Sequence, residues 1–263
     1  MKFMVEYPLG VDDEGKPWST PSSMATFATA LEGAGIDAIA FTDHPAPSKK
    51  WIDGGGHATI DPFVGLGFCA GVTTTLRLMT ALTVVPYRNP LLLAKSMTAV
   101  DIVSGGRATF VLGTGYLRSE FLALGVNFEE RNALFDEAVE VAKGLWSTDE
   151  LQYEGMHFTA LGQTLFPRQV QQPHPPLWLG GNARVVRDRV ARWGDGWAPM
   201  LGGGVLAQTT RTAAITTDQD FADVLDEYLD AGADELVLHG TTPELLGSAV
   251  GHFTNDQRQR SQR

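Results

Sequence analysis

Three short stretches of this 263-residue chain carry residue types that do chemistry. Thr42-Asp43-His44-Pro45 sets a carboxylate beside an imidazole. Imidazole titrates near neutrality, so it can pass a proton or hold a hydrogen bond; the competing role is a histidine tied to a backbone carbonyl at a strand end. Gly113-Thr114-Gly115-Tyr116-Leu117-Arg118-Ser119-Glu120 shares two glycines with the dinucleotide fingerprint G-x-G-x-x-G but has Arg118 at the third. That weakens a Rossmann site and leaves a glycine turn where a flat ligand or a phosphate can approach, or where Gly115 merely supplies a positive φ. Gly180-Gly181-Asn182 precedes a helical stretch with Arg184, Arg187, Arg189 and Arg192. A helix N-terminus offers N–H groups and positive potential, so this is the preferred anion site, while a solvated basic face accounts for most of the arginines.

Metal and nucleophile readings are weaker. The chain has no H-x-x-x-H, no H-x-H, no paired cysteines and no G-x-S-x-G. His57 and Asp61 could join Asp43 and His44 in a hydrolytic metal site, but without ligand spacing no metal is assigned. His157, His174, His239 and His252 lack suitable sequence neighbours and read as structural or solvent-facing. The single Cys69 lies in an apolar run and reads as a small buried thiol.

The elements that must position these residues alternate. Apolar runs at Lys2–Tyr7, Asp37–Thr42, Leu78–Val85, Ala108–Leu112, Leu177–Leu179, Gly196–Ala198 and Glu235–His239 read as strands. Between them lie helical patterns: Ser23–Ala34, with Met24, Phe27, Ala28 and Leu31 on one face; Leu92–Val103; a long helix carrying Leu134, Ala138, Val141, Ala142 and Leu145; Ala183–Trp193; and a stretch with Phe221, Val224, Leu225, Tyr228 and Leu229. Near-continuous apolar strands alternating with amphipathic helices predict a parallel sheet covered by helices. This many units favours a closed (β/α)8 TIM barrel over an open doubly wound sheet. In such a barrel the site is built at the C-terminal strand ends, where all three stretches fall. Residues 1–253 read as a single barrel domain and 254–263 as a polar tail.

Composition sets the partners. Twenty Lys and Arg against 31 Asp and Glu give a net charge of −11, a surface that repels phosphate backbones and anionic lipid. Nucleic acid is not expected as a partner. No run of about 18 apolar residues occurs, so no membrane span is expected. The lone cysteine and the absence of a signal-like start place the protein in the cytoplasm.

Taken together, "FTDHP" (41–45), "TALTVVPYRNP" (80–90), "GGRATFVLGTGYLRSEFLALG" (105–125), "RNALFDEAVEVAKGLW" (131–146), "PPLWLGGNA" (175–183) and "WGDGWAP" (193–199) resemble, in order and spacing, the bacterial luciferase-like monooxygenase superfamily, within it the branch that uses coenzyme F420. The resemblance implies a TIM barrel with the coenzyme at the C-terminal strand ends. It implies that His44 faces the ring system or acts as acid/base, with Asp43 beside it. Ala81, Leu82 and Thr83 would back the ring at a strand bulge, with a non-prolyl cis peptide at Ala81-Leu82. Gly113, Thr114, Gly115 and Tyr116 would form the cofactor-contacting turn, and Gly180, Gly181 and Asn182 the phosphate cradle. Tyr116 stands where some F420 dehydrogenases carry a catalytic Glu, which argues against transferring that chemistry. After Pro199 the chain is shorter than such barrels: either Thr212–Thr217 serves as a poor strand seven or the barrel is incomplete.

The function implied first is an F420-dependent oxidoreductase moving a hydride between the deazaflavin and a small organic substrate. The alternative is an FMN-dependent monooxygenase using reduced flavin and O2, fed by a separate reductase. An alternative of another class is a non-catalytic flavin- or deazaflavin-binding protein, and a metal-dependent hydrolase is a distant fourth. A shortened barrel with apolar helix faces is expected to form a homodimer.

Overall fold

The computed structural model describes residues 2–8, 19–199 and 235–238. The chain forms two compact units, one of Met1–Ala40, Val72–Arg77 and Leu201–Arg263, the other of Phe41–Gly71 and Leu78–Met200.

In the first unit, β1 (Lys2–Glu6) pairs in parallel with β2 (Ala38–Phe41), Met4 opposite Ala38. Between them runs α1 (Pro21–Gly33), which starts where its sequence supplies the signals. Proline at its first turn needs no N–H partner, and Thr20 and Ser23 cap each other's backbone amides in a capping box. Met24, Phe27, Ala28 and Leu31 are its buried face, as their spacing requires, and the Phe27 ring meets Tyr7 edge-on at 5.2 Å.

The second unit carries the candidate site. It contains α2 (Lys49–Asp53), α3 (Pro62–Val72), β3 (Arg77–Val84), α4 (Pro90–Val103), β4 (Ala108–Gly113), α5 (Arg118–Ala123), α6 (Arg131–Ser147), the hairpin β5 (Leu151–Glu154) and β6 (Thr159–Gln163), β7 (Leu177–Gly180), α7 (Arg184–Trp193) and β8 (Gly196–Ala198). Strands β3, β4, β7 and β8 pair in that order, all parallel. Their C-terminal ends therefore share one edge, where Val84, Gly113, Gly180 and Ala198 lie. β4 is buried along its whole length, which is why it reads as an unbroken apolar run. On the helical side, Trp146 of α6 donates its indole N–H to Thr98 of α4 at 2.8 Å, tying two core helices together. The β5–β6 hairpin is fastened to α6 by Glu137, which accepts the amides of His157 (3.0 Å) and Phe158 (2.8 Å) and meets His157 Nδ1 at 2.7 Å. His157 thus has a structural role. Cys69 is buried in α3, and burial pushes its thiol up to about 12, so it stays an inert hydrophobe.

β9 (Glu235–Leu238) pairs in parallel with β1, Lys2 opposite Glu235. Residues 11–17, the candidate strand Thr212–Thr217, the helical stretch expected around Phe221–Leu229, His239, His252 and the expected tail 254–263 lie outside the described residues. Among the described residues, no helix is long and apolar enough to cross a membrane.

Candidate active site

The platform of the site is a fault in β3. The register with β4 is regular from Leu78 to Thr80, then shifts before Thr83, and the peptide between Ala81 and Leu82 is cis, where the resemblance places it. Ala81 and Leu82 are half-buried in a strand otherwise nearly closed to solvent. Leu82 rests on two glycines: a Cβ at Gly113 or at Gly180 would lie 2.5 Å from its methyl groups. Any larger residue at either position would push Leu82 off the sheet. Gly115 (φ +74°) is needed by the turn itself, since a Cβ there would come within 2.6 Å of Val84. These glycines serve the bulge and its neighbours directly. Thr83 is buried, and its hydroxyl has no partner among the described residues.

His44 stands beyond the end of β2, in the stretch that leads through α2 to α3. Its side chain is 8 % exposed. Trp51 of α2 lies against it at 4.6 Å between ring centroids, His57 meets it edge-on at 4.9 Å and Tyr116 at 5.9 Å. Gly54-Gly55-Gly56 wraps the indole closely: a Cβ at Gly56 would fall 2.4 Å from the Trp51 ring. The glycine-rich loop that flanks His57 thus holds an aromatic wall.

Behind the imidazole lies Glu120, fully buried on α5. Its Oε2 is 3.0 Å from His44 Nδ1 and accepts the Tyr87 hydroxyl at 3.0 Å, while Oε1 accepts the Ala46 amide at 3.1 Å. Burial, reinforced by the Glu120 charge, pushes both the Tyr87 and Tyr116 phenols above their ordinary range, so both stay protonated near neutral pH.

Asp43 faces elsewhere. It is buried, and Arg88 grips both its oxygens, at 2.5 and 2.9 Å, while the Val84 amide donates to Oδ2 at 2.9 Å. Arg88 also reaches Asp61 at 3.0 Å, and Asp61 in turn accepts the amides of Phe63 and Val64 at the start of α3. The carboxylate expected beside His44 as a chemical partner is instead committed to anchoring the end of β3. Among the described residues, no group of three or more His, Cys, Asp or Glu side chains is placed to hold a metal.

At the anion site, Gly180 ends β7 and Gly181 has φ +119°. The Gly181 N–H is already given to Ala198 O at 3.0 Å, and its carbonyl accepts the Trp197 indole at 2.9 Å. What faces outward is the first turn of α7, which begins at Ala183 without a side-chain cap; Asn182, Arg184 and Arg187 are exposed there. Arg189 is not part of a solvated face: it is buried, bound to Asp136 (2.6 Å) and Asn132, and packed over the Phe135 ring. Arg192 pairs with Glu140.

The structure therefore gathers His44, Tyr116 and the Ala81-Leu82 bulge within one unit and adds Glu120, Tyr87 and Trp51, which the sequence reading missed. Glu120 closes the very glycine motif that drew attention to Tyr116, but a glutamate early in a helix reads as a solvated terminal charge. The available signal was that α5 buries Phe121, the residue next to it.

Residues 1–222 match the luciferase-like monooxygenase family. An F420-dependent glucose-6-phosphate dehydrogenase of Kineococcus radiotolerans is 31% identical over 189 residues, 70% of this chain and 54% of that protein. An FMNH(2)-dependent dimethylsulfone monooxygenase of Pseudomonas putida is 31% identical over 126 residues, 47% of this chain and 34% of that protein. The crystal structure of monooxygenase RslO1 from Streptomyces bottropensis superposes with a TM-score of 0.67 at 23% identity, covering 91% of this chain and 70% of that one, and shares the fold. The chain spans about half the length of the curated relatives it matches. With its α/β fold of the luciferase-like barrel class, the chain belongs to the luciferase-like monooxygenase family.

Proposed function

We propose that the protein is an F420-dependent oxidoreductase that transfers a hydride between the deazaflavin and a small organic substrate. The observation that carries the reading is the half-buried pair Ala81-Leu82, shifted out of the β3–β4 register in the same unit as the protected imidazole of His44. Several features fit a flat, phosphate-bearing coenzyme: this apolar ledge, the unpartnered Thr83 hydroxyl at its edge, and the uncapped first turn of α7 at the same end of the sheet. Similarity to F420-dependent glucose-6-phosphate dehydrogenases over 70% and 76% of the chain favours F420 over FMN.

When bound, the deazaflavin supplies the carbon that gives or takes the hydride. The chain's own residues do the rest. Ala81, Leu82 and Thr83 back the ring, while the turn Gly113–Tyr116 borders it. Gly180, Gly181 and Asn182 shape the approach to the α7 amides, which take the phosphate. His44 accepts or returns the substrate proton, and Trp51, His57 and Tyr116 keep bulk water from it. Asp43 holds Val84 and, through Arg88, the loop at Asp61, so its contribution is positional.

The test is a side-by-side fluorescence titration with F420 and FMN, followed by turnover of the His44→Ala variant. Selective F420 binding, with turnover falling about 10²-fold or more and coenzyme affinity nearly kept, is the expected result. Equal turnover in variant and parent overturns the role of His44.

A second reading, an FMN-dependent monooxygenase supplied by a separate reductase, is favoured by the FMNH(2)-dependent relative. Selective FMN binding with O2-dependent product formation would establish it. Tight binding without turnover on any acceptor would instead mark a non-catalytic coenzyme-binding protein. The homodimer is tested by the mass in solution.

A further inference from the structure

The buried carboxylate behind His44 has a job that follows from who donates to it. Glu120 is wholly enclosed, and its side chain meets three groups. The Ala46 amide can only donate. Tyr87 is held in its protonated form, so it too has a proton to give. A carboxyl group that faces donors at both oxygens is stabilised as an acceptor, and the remaining neighbour, His44 Nδ1, must then bring a hydrogen of its own. An imidazole with its hydrogen on Nδ1 presents a bare Nε2 lone pair on the opposite side of the ring.

We propose that Glu120, held in place by Tyr87 and the Ala46 amide, is a positioning residue that fixes His44 as the Nδ1–H tautomer and leaves Nε2 as the proton acceptor of the site. The geometry is that of a base oriented by a buried carboxylate, a pattern defined by roles and not by order along the chain. Here the two residues are 76 positions apart and meet within the second unit. Such a carboxylate also stabilises the imidazolium that forms once the proton is taken. The other groups around the ring are His57 and Tyr116 on its edges and Trp51 on its face, none of which offers a negative charge. Asp43, the next residue in the chain, is neutralised by Arg88. Glu120 is thus the one anion among the described residues in contact with the ring.

The proposal rests on the catalytic reading of His44 for its meaning, but its test does not need the coenzyme. Long-range nitrogen–proton NMR correlation on 15N-histidine-labelled protein gives the tautomer and titration of each ring, with His44 assigned by its loss in His44→Gln. The expected result is an Nδ1–H tautomer in the parent. Glu120→Gln should lose the preference for Nδ1–H, because the anion that holds this hydrogen is gone. Tyr87→Phe should keep the tautomer and move the Nδ1–H proton signal further downfield, because removing one donor from Oε2 leaves a better acceptor for His44. A merely structural role would not produce these opposite changes. Where Glu120→Gln does not fold, Tyr87→Phe decides. An Nε2–H tautomer in the parent, or an Nδ1–H signal that neither variant changes, overturns the proposal. Should the tautomer be as stated while His44→Ala turns over normally, the positioning holds and the catalytic reading of His44 fails.

Discussion

The hydroxyl of Thr80 donates to the carbonyl of Val111 and accepts the amide of the same residue, both at 3.0 Å. One side chain thereby does for Val111 what the β3 backbone would do in a regular ladder. It does so at the last residue before the register shift, where the Ala81-Leu82 bulge carries the backbone away. A bulge leaves polar groups of the partner strand without their usual counterparts, and in a fully buried strand no water replaces them.

Thr80→Val keeps the shape and removes both hydrogen bonds. The expected loss is about 2–6 kcal/mol, since a buried donor and a buried acceptor are orphaned together, each costing about 1–3 kcal/mol. Thr80→Ser, which keeps the hydroxyl, should recover most of it. Chemical denaturation midpoints with unchanged slope would show this; a Val variant as stable as the parent would mean that Val111 finds other partners. Coenzyme affinity should fall with Thr80→Val, because the ledge loses its anchor.

The same logic separates Asp43 from His44, although the two are neighbours in sequence. Asp43 is enclosed and forked by Arg88, so removing its charge leaves a guanidinium partly unpaired next to the core. Breaking a buried pair costs about 3–5 kcal/mol. Arg88 keeps 18 % exposure and a second partner in Asp61, so the lower end of that range is expected for Asp43→Asn. His44→Ala should cost less stability and far more turnover. Paired unfolding and rate measurements on the two variants test this. A stable Asp43→Asn variant that has lost turnover would return Asp43 to the chemistry.

Much of this architecture was legible in the sequence because burial on both faces writes a strand as an unbroken apolar run, as at Ala108–Gly113. Amphipathic spacing writes a helix, as in α1 and α6. What lacked such a signal was missed. α3 reads PFVGLGFCAGV, apolar on every side and interrupted by glycines, so it shows no face; Gly65 is there because the Phe41 ring occupies the place of its side chain, 2.8 Å from a would-be Cβ. The β5–β6 hairpin is half-exposed and lacks an apolar run. At the site, His44 and the bulge were found through a recurring pattern of motifs. Glu120 and Tyr87 were not, because the relation that defines them is a contact across the fold. Arg189 reads in the sequence as part of a solvated basic face because its acidic partner, Asp136, lies 53 positions earlier.

Outside the site, Glu32 makes stability depend on pH in a defined direction. Its Oε1 accepts the amides of Thr74 (2.8 Å), Thr75 (2.5 Å) and Leu76 (3.0 Å), joining the end of α1 to the segment that enters β3. Burial disfavours its charge, but the amides of Thr75, Leu76 and Thr74 and the Thr75 hydroxyl together outweigh it, bringing the pKa from 4.5 down to about 2. A carboxyl whose pKa is lower folded than unfolded binds fewer protons in the native state, so its contribution is complete above about pH 4.5 and is lost as the pH falls toward about 2. Glu32→Gln removes that contribution at neutral pH but has nothing further to lose in acid. The stability gap between parent and variant should therefore be widest near about pH 6 and shrink through about pH 4 to 3. Urea midpoints of the two proteins across that range give the answer, with titrations common to both cancelling in the difference. A gap that stays constant would show that the amides need only an oxygen at this position, not a charge.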